Sequence, residues 1–182
     1  MKATGIVRRI DDLGRVVGPK EIRRTLHIRE GDPLEIFTDR EGEIILKKYS
    51  LIGELSGFSK QYAEALAQTS GHIVSITDRD QHIAVSGQGK KELLGKPLSK
   101  ALERMIHQRM SNCCSQKDKA FVELIPGEND AFQSEVICPI IAEGDAIGAV
   151  IIASRDEKYK MGEVEKKLAA AAAAFLGRQM EQ

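Results

Sequence analysis

Leu13-Gly14-Arg15-Val16-Val17-Gly18-Pro19-Lys20-Glu21-Ile22-Arg23-Arg24 packs a turn, a short apolar strand, a proline breaker and a basic helical turn into one continuous stretch. Gly14 frees the backbone for a turn, and the β-branched Val16 and Val17 favour strand. Pro19 fixes φ and has no N–H, so it ends a ladder and suits the first turn of a helix carrying Lys20, Arg23 and Arg24. The stretch therefore predicts a rigid bend that displays cations. Outward from it, Thr4-Gly5-Ile6-Val7-Arg8-Arg9-Ile10 reads as a preceding strand. Leu34-Glu35-Ile36-Phe37-Thr38 and Glu43-Ile44-Ile45-Leu46-Lys47 read as two following ones. Asp39-Arg40-Glu41-Gly42 joins these last two as a hairpin loop, with Gly42 supplying φ > 0. Four short strands and one helical turn in about 48 residues are too little for an independent core without a disulfide, a metal or association. No cysteine precedes Cys113. Association is the remaining route.

The formal net charge of zero, 27 Lys and Arg against 27 Asp and Glu, hides a local asymmetry. Residues 1–29 hold Lys2, Arg8, Arg9, Arg15, Lys20, Arg23, Arg24 and Arg29 against Asp11, Asp12 and Glu21, a local charge of +5. Residues 30–48 sum to −3. A basic end doubled by dimerisation attracts a phosphate backbone and releases its condensed counterions. The same run also reads as a solvated charged face, with Asp11, Asp12 and Glu30 as partners for Arg9 and Arg29.

Beyond residue 50 the period changes. Leu51, Leu55, Phe58, Tyr62, Ala65 and Thr69 step at a helical spacing, and Ser70-Gly71 ends that helix. His72-Ile73-Val74-Ser75-Ile76-Thr77 and His82-Ile83-Ala84-Val85-Ser86 read as a hairpin. A helix follows over residues 98–110, with Leu98, Leu102, Met105 and Arg109 on one side. Strands are expected at residues 121–125, 135–141 and 146–154, and a closing helix over 161–180 with Met161, Val164, Leu168, Ala171 and Phe175 as its apolar stripe. Cys113, Cys114 and Cys138 fit neither a secreted disulfide framework nor a zinc spacing, so no metal is expected. Cys138, inside an apolar strand, reads as a small buried hydrophobe. His27, His72 and His82 read as structural or exposed. No nucleophile elbow, phosphate-cradling loop or HExxH helix is present, and Gly87-Gln88-Gly89 is too short for a nucleotide fingerprint. The expectation is a protein that is not an enzyme, needs no cofactor and touches no membrane. It would be cytoplasmic, lacking an apolar leader or a run of about 18 apolar residues.

Through Thr4-Gly5-Ile6-Val7-Arg8, Leu13-Gly14-Arg15-Val16-Val17, Pro19-Lys20-Glu21-Ile22-Arg23-Arg24 and Gly31-Asp32, residues 1–50 resemble the AbrB family of swapped-hairpin transition-state regulators. A closer resemblance, to that family's sporulation branch, runs on through Ile44-Ile45-Leu46-Lys47-Lys48-Tyr49-Ser50 to Gly177-Arg178-Gln179-Met180-Glu181-Gln182. The second half is similar to the GAF domain, a ligand-sensing fold, most of all at Pro139-Ile140 and Gly148-Ala149-Val150. The resemblance implies an α+β chain in which an amino-terminal swapped-hairpin β-barrel, intertwined as a homodimer, is joined by a helix to a GAF-like sensor domain. The divisions expected are 1–50 for DNA binding, 51–70 for a linker and dimerisation helix, and 71–182 for regulation and oligomerisation.

The resemblance also implies a regulator, activator and repressor, of sporulation-type genes that is nucleoid-associated and binds double-stranded DNA. Arg8, Arg15, Arg23 and Arg24 match the family's DNA-facing arginines, with Lys2, Arg9 and Lys20 as phosphate contacts. It implies a homotetramer built through the carboxyl-terminal helices and a small-molecule ligand at the GAF-like domain. The alternative is an AbrB-like antitoxin or a structural oligomer, against which the apolar, periodic carboxyl half argues. In one place the chain departs from the family pattern: Gly18 stands where an apolar β-branched residue is usual. If that site is buried, the missing side chain costs about 2–5 kcal/mol of dimer stability.

Overall fold

The computed structural model describes residues 5–26, 28–50, 56–88, 90–127 and 132–181. The chain divides into two compact units, Met1–Tyr49 and Ser50–Gln182. In the first, helix α1 (Lys20–Thr25) precedes strands β1 (Leu34–Thr38) and β2 (Ile44–Lys48), which pair antiparallel from Leu34 opposite Lys48 to Thr38 opposite Ile44. The turn between them is closed by Asp39, whose Oδ1 accepts from the Glu41 and Glu43 N–H groups at 3.0 and 2.9 Å, and Gly42 takes φ 83° as expected.

Of the strands expected at residues 4–10 and 16–17, none forms over the described residues 5–10 or 16–17. Residues 5–19 have no strand partner among the described residues, and a lone two-stranded hairpin is marginal in water. Ile6, Val7, Ile10, Leu13, Val16, Val17, Leu34, Ile36, Phe37, Ile44, Ile45 and Leu46 are all at least 36% exposed, and no described residue of this unit is buried. The alternation typical of half-buried strands is written in the sequence, but one copy of the chain does not supply the other half.

The second unit is a five-stranded antiparallel sheet. Its strands are β3 (Ile73–Thr77), β4 (His82–Ser86), β5 (Asn112–Ser115), β6 (Ser134–Ala142) and β7 (Asp145–Ser154), in the spatial order β4-β3-β7-β6-β5. The period of two splits the core between its faces. Val74, Ile76, Val136, Ile140, Val150 and Ile152 lie in the cluster formed with α2 (Ser56–Ser70) and α5 (Glu163–Gln179). Ile73, Val85, Ile137, Ile151 and Ala153 join the opposite cluster, with Leu93 of the short α3 (Lys90–Leu93) and Leu102, Met105 and Ile106 of α4 (Lys100–His107). Ser99 caps α4 by accepting the Leu102 N–H at 3.0 Å.

Four expectations change here. Arg109 lies past the end of α4, exposed and at φ 56°, instead of on its buried side. Residues 121–125 form a loop that buries Leu124 and Ile125, and the edge strand is instead β5. On α2, Ala63, Leu66 and Ala67 are buried and Phe58 and Tyr62 pack half-buried against the same cluster, whereas Ala65 and Thr69 of the expected seam are exposed; Leu51 and Leu55 lie outside the described residues. On α5, Ala169, Ala172, Ala173, Leu176 and Gly177 face the sheet, while Val164 and Phe175 are 67% and 40% exposed. The backbones are close here: a Cβ at Gly177 would sit 2.0 Å from the Ile141 carbonyl oxygen. At that point the helix lies too close for any side chain, and although Leu176 is buried beside it, Phe175 lies outward. There Phe58, Tyr62 and Phe175 make their own cluster, with ring centroids 5.5–6.1 Å apart. Gly177→Ala should therefore lower stability by about 3 kcal/mol, the upper end for overpacking, read as a fall in the thermal midpoint. A midpoint within a degree or so of the parent would contradict this packing.

Candidate nucleic-acid interface

The loop before α1 is organised by one carboxylate. Asp11 Oδ1 accepts the Leu13 and Arg15 N–H groups at 3.0 and 2.8 Å, and Asp11 Oδ2 accepts Arg15 Nε–H at 2.8 Å. The backbone closes the same turn, with Gly14 N–H to Asp11 O at 3.0 Å and Gly14 at φ 76°. The backbone N–H of Arg15, and then its guanidinium, hold the Asp11 carboxyl below the usual carboxylate range. Asp11 is thus committed to Arg15 and not to Arg9.

Pro19 then starts α1, which places Lys20, Arg23 and Arg24 at three- and four-residue steps on adjoining positions of one helical turn. Arg23 Nε–H donates to Gly18 O at 3.2 Å. Arg8, Arg9, Lys20 and Arg24 are exposed, and no carboxylate lies within ion-pair distance of them among the described residues. Lys2 lies outside the described residues, as does His27. Behind this face, Asp32 accepts Arg29 N–H at 2.8 Å and Lys48 Nζ at 3.1 Å, tying the end of β2 to the turn after α1. Burial pushes the Asp32 carboxyl up, but those donors outweigh it and the net shift is down. Gly18 is exposed in one copy of the chain, as are Val16 and Val17, and the stem of Arg23 lies beside it.

The second unit holds polar groups that sequence reasoning passed over. Glu135 is fully buried. Its Oε1 accepts from Asn112 Nδ2 at 2.7 Å and Val122 N–H at 2.9 Å, while Oε2 has no partner among the described residues. Burial pushes its carboxyl up to about 7. His82 is held by Ser75 Oγ at 2.7 Å from Nδ1, and burial lowers it to about 4. Cys113 and Cys114 take opposite faces of β5, one beside Gly162 O and the other beside Glu135 Oε1, so they share no site. Burial raises all three thiols, Cys114 to about 12 with the Glu135 charge as its second cause. The signal for Glu135 was available, as a lone acid beginning an otherwise apolar strand. A separate cavity of about 350 Å³ opens where β3 begins and β7 ends, lined by His72, Gly87, Gln88, Ser154, Arg155 and Tyr159. The His72 ring packs 4.2 Å from that of Tyr159, and its Nε2 is buried without a partner.

Because the folded-state pKa of Glu135 is raised, its contribution to stability is complete below about 4.5 and declines as pH rises through about 7; His82 acts the other way, losing stability as pH falls from about 6.5 through about 4. Comparison with Glu135→Gln isolates the carboxyl. The variant's melting temperature should rise relative to the parent between pH 5 and pH 8, by a difference on the order of 3 kcal/mol. A constant offset across that range would refute the shift.

The comparisons with known proteins follow the same division. The family described as "Antidote-toxin recognition MazE, bacterial antitoxin" matches residues 7–53, and "Stage V sporulation protein T C-terminal, transcription factor" matches residues 54–181. Over 49 residues, 27% of this chain and half of the relative, the chain is 67% identical to the transition state regulatory protein AbrB of Bacillus subtilis. The second unit has the GAF fold: 74% of the chain superposes on 89% of the PixJ GAF domain of Thermosynechococcus elongatus, with a TM-score of 0.56 at 12% identity. These units define the class, an AbrB-like amino-terminal domain carried on a GAF-fold domain. Stage V sporulation protein T of Bacillus subtilis is 60% identical over 182 residues, the full length of both chains. The chain belongs to the stage V sporulation protein T family.

Proposed function

We propose that this chain is a DNA-binding transcription regulator of sporulation-type genes, activator and repressor, whose amino-terminal domain, residues 1–50, engages double-stranded DNA as an intertwined homodimer. The observation that carries the reading is the coincidence of free, exposed cations (Arg8, Arg9, Lys20 and Arg24) with two arginines held in place by their own chain (Arg15 and Arg23), on a unit that leaves its apolar strand residues uncovered. Arginine forks meet phosphate oxygens or guanine edges in pairs, and a second copy both completes the fold and doubles the charge. The family is described as a transcription factor, and the AbrB relative as a transition state regulator.

Carriage of the α2 and α5 outer seam into a homotetramer accounts for the exposed Phe175 beside Phe58 and Tyr62. The GAF-fold domain would adjust the relation of paired DNA-binding units on taking a small ligand, as a population shift between states of different affinity. The cavity beside His72 is one place for such a ligand. No helix among the described residues is long and apolar enough to cross a membrane. The reading places the protein on the nucleoid.

With about 6–10 phosphate contacts per dimer, affinity for duplex DNA should fall by about 10³–10⁵ between 50 and 200 mM salt. Arg23→Ala/Arg24→Ala should weaken binding and flatten the slope at unchanged oligomer mass. A flat response in the parent chain would remove DNA binding from the reading. Independently, Tyr62→Ser/Phe175→Ser should halve the mass measured by light scattering while leaving the DNA-binding dimer intact; an unchanged mass would move the tetramer contact off this seam.

A further inference from the structure

The cations of the amino-terminal unit are of two kinds. Arg8, Arg9 and Arg24 have no partner among the described residues, whereas Arg15 and Arg23 are each held through Nε, one by Asp11 Oδ2 at 2.8 Å and the other by Gly18 O at 3.2 Å. A guanidinium carries five N–H groups in a fixed fork. With Nε–H occupied, the side-on edge that combines Nε and a terminal nitrogen is closed. The end-on edge, formed by the two terminal nitrogens, stays open to a paired acceptor. Both side chains also lose rotamer freedom before any ligand arrives, which reduces the ordering cost of binding.

At Arg23 this arrangement limits the size of the side chain at position 18. A Cβ at Gly18 would meet Arg23 Cγ at 3.6 Å and Cδ at 3.8 Å, which is ordinary contact. A β-branched residue adds two further heavy atoms to that Cβ, filling two of its three staggered positions. Unless the remaining hydrogen takes the position facing Arg23, one of those atoms displaces the arginine stem. Gly18 is not among the positive-φ glycines, so its backbone accepts such a residue and the conflict lies in the side chains alone.

We propose that Gly18 is a positioning residue for Arg23, seating its stem and holding its Nε so that the guanidinium meets a DNA phosphate or guanine edge end-on. The role rests on the DNA-binding reading above; the seat itself does not. Asp11 is the charged counterpart for Arg15.

The seat is tested on the DNA-free full-length protein with ¹⁵N-labelled arginine. Arg23 Nε–H should exchange with solvent more slowly than Arg24 Nε–H in the same helix. Gly18→Ala should keep that contrast and Gly18→Val should erase it. Equal exchange of the two arginines in the parent overturns the seat without reference to DNA. The role is tested by a double-mutant cycle on duplex binding at fixed salt. Arg23→Ala should cost at least about 3-fold more affinity in the parent than in the Gly18→Val background, a coupling expected of groups that act together. Equal losses in the two backgrounds overturn the positioning role. A parent chain that shows the exchange contrast but no salt-dependent duplex binding overturns the DNA-binding reading, and the role with it, while the seat stands.

Discussion

A polypeptide unit that buries none of its own apolar side chains has no hydrophobic term with which to offset the entropy of ordering its backbone. Residues 5–50 are in that position: their β-branched and aromatic residues alternate as core residues do, yet they remain open to water in one copy of the chain. The local order that does exist is polar. Asp11 closes one turn, Asp39 another, and Asp32 ties Lys48 to the backbone after α1. These interactions fix the shape of loops but contribute little net stability at exposed sites. Under the proposed dimer, folding of this unit and recognition by it would be linked, because an association that covers the strands would also bring two basic ends together.

The carboxyl-terminal unit is built the opposite way, around a sheet covered on both faces. Its geometry follows from how near α5 comes to β6. Ala169, Ala172, Ala173 and Gly177 face the sheet beside Leu176, and Ile141 O leaves no room for a side chain at Gly177. Phe175 instead meets Phe58 and Tyr62 of α2 on the outside. The packed interior on one side of the helix pair thus continues into a ring cluster that leaves Phe175 40% exposed on the other.

What was legible in the sequence was local. The β1–β2 hairpin follows from alternation around an acidic loop ending in glycine, and the start of α1 from Pro19. The strand pairs at residues 72–86 and 135–154 show the same pattern of β-branched runs broken by turns. The faces of the helices were not legible, because a periodicity count favours large apolar residues for the interior and cannot sense that Ile141 O leaves room for nothing beyond Gly177. Strand β5 was missed because Asn112-Cys113-Cys114-Ser115 lacks strand-forming residues; it is held by its ladder to β6 and by Asn112 bonding Glu135. At the interface the arginines themselves could be read from the sequence, but their partners could not. Asp11 stood equally near several cations in sequence, and the backbone carbonyl of Gly18 carries no sequence signal at all.

The setting of the three cysteines bears on how the chain meets oxidants. Thiol–disulfide exchange and oxidation proceed through the thiolate, and burial holds Cys113, Cys114 and Cys138 in the protonated form well above neutral pH. Chains held side by side in an oligomer meet at very high local concentration, where even slow covalent cross-linking would accumulate. With these three thiols protonated, copies of the chain brought together would form intermolecular disulfides only slowly.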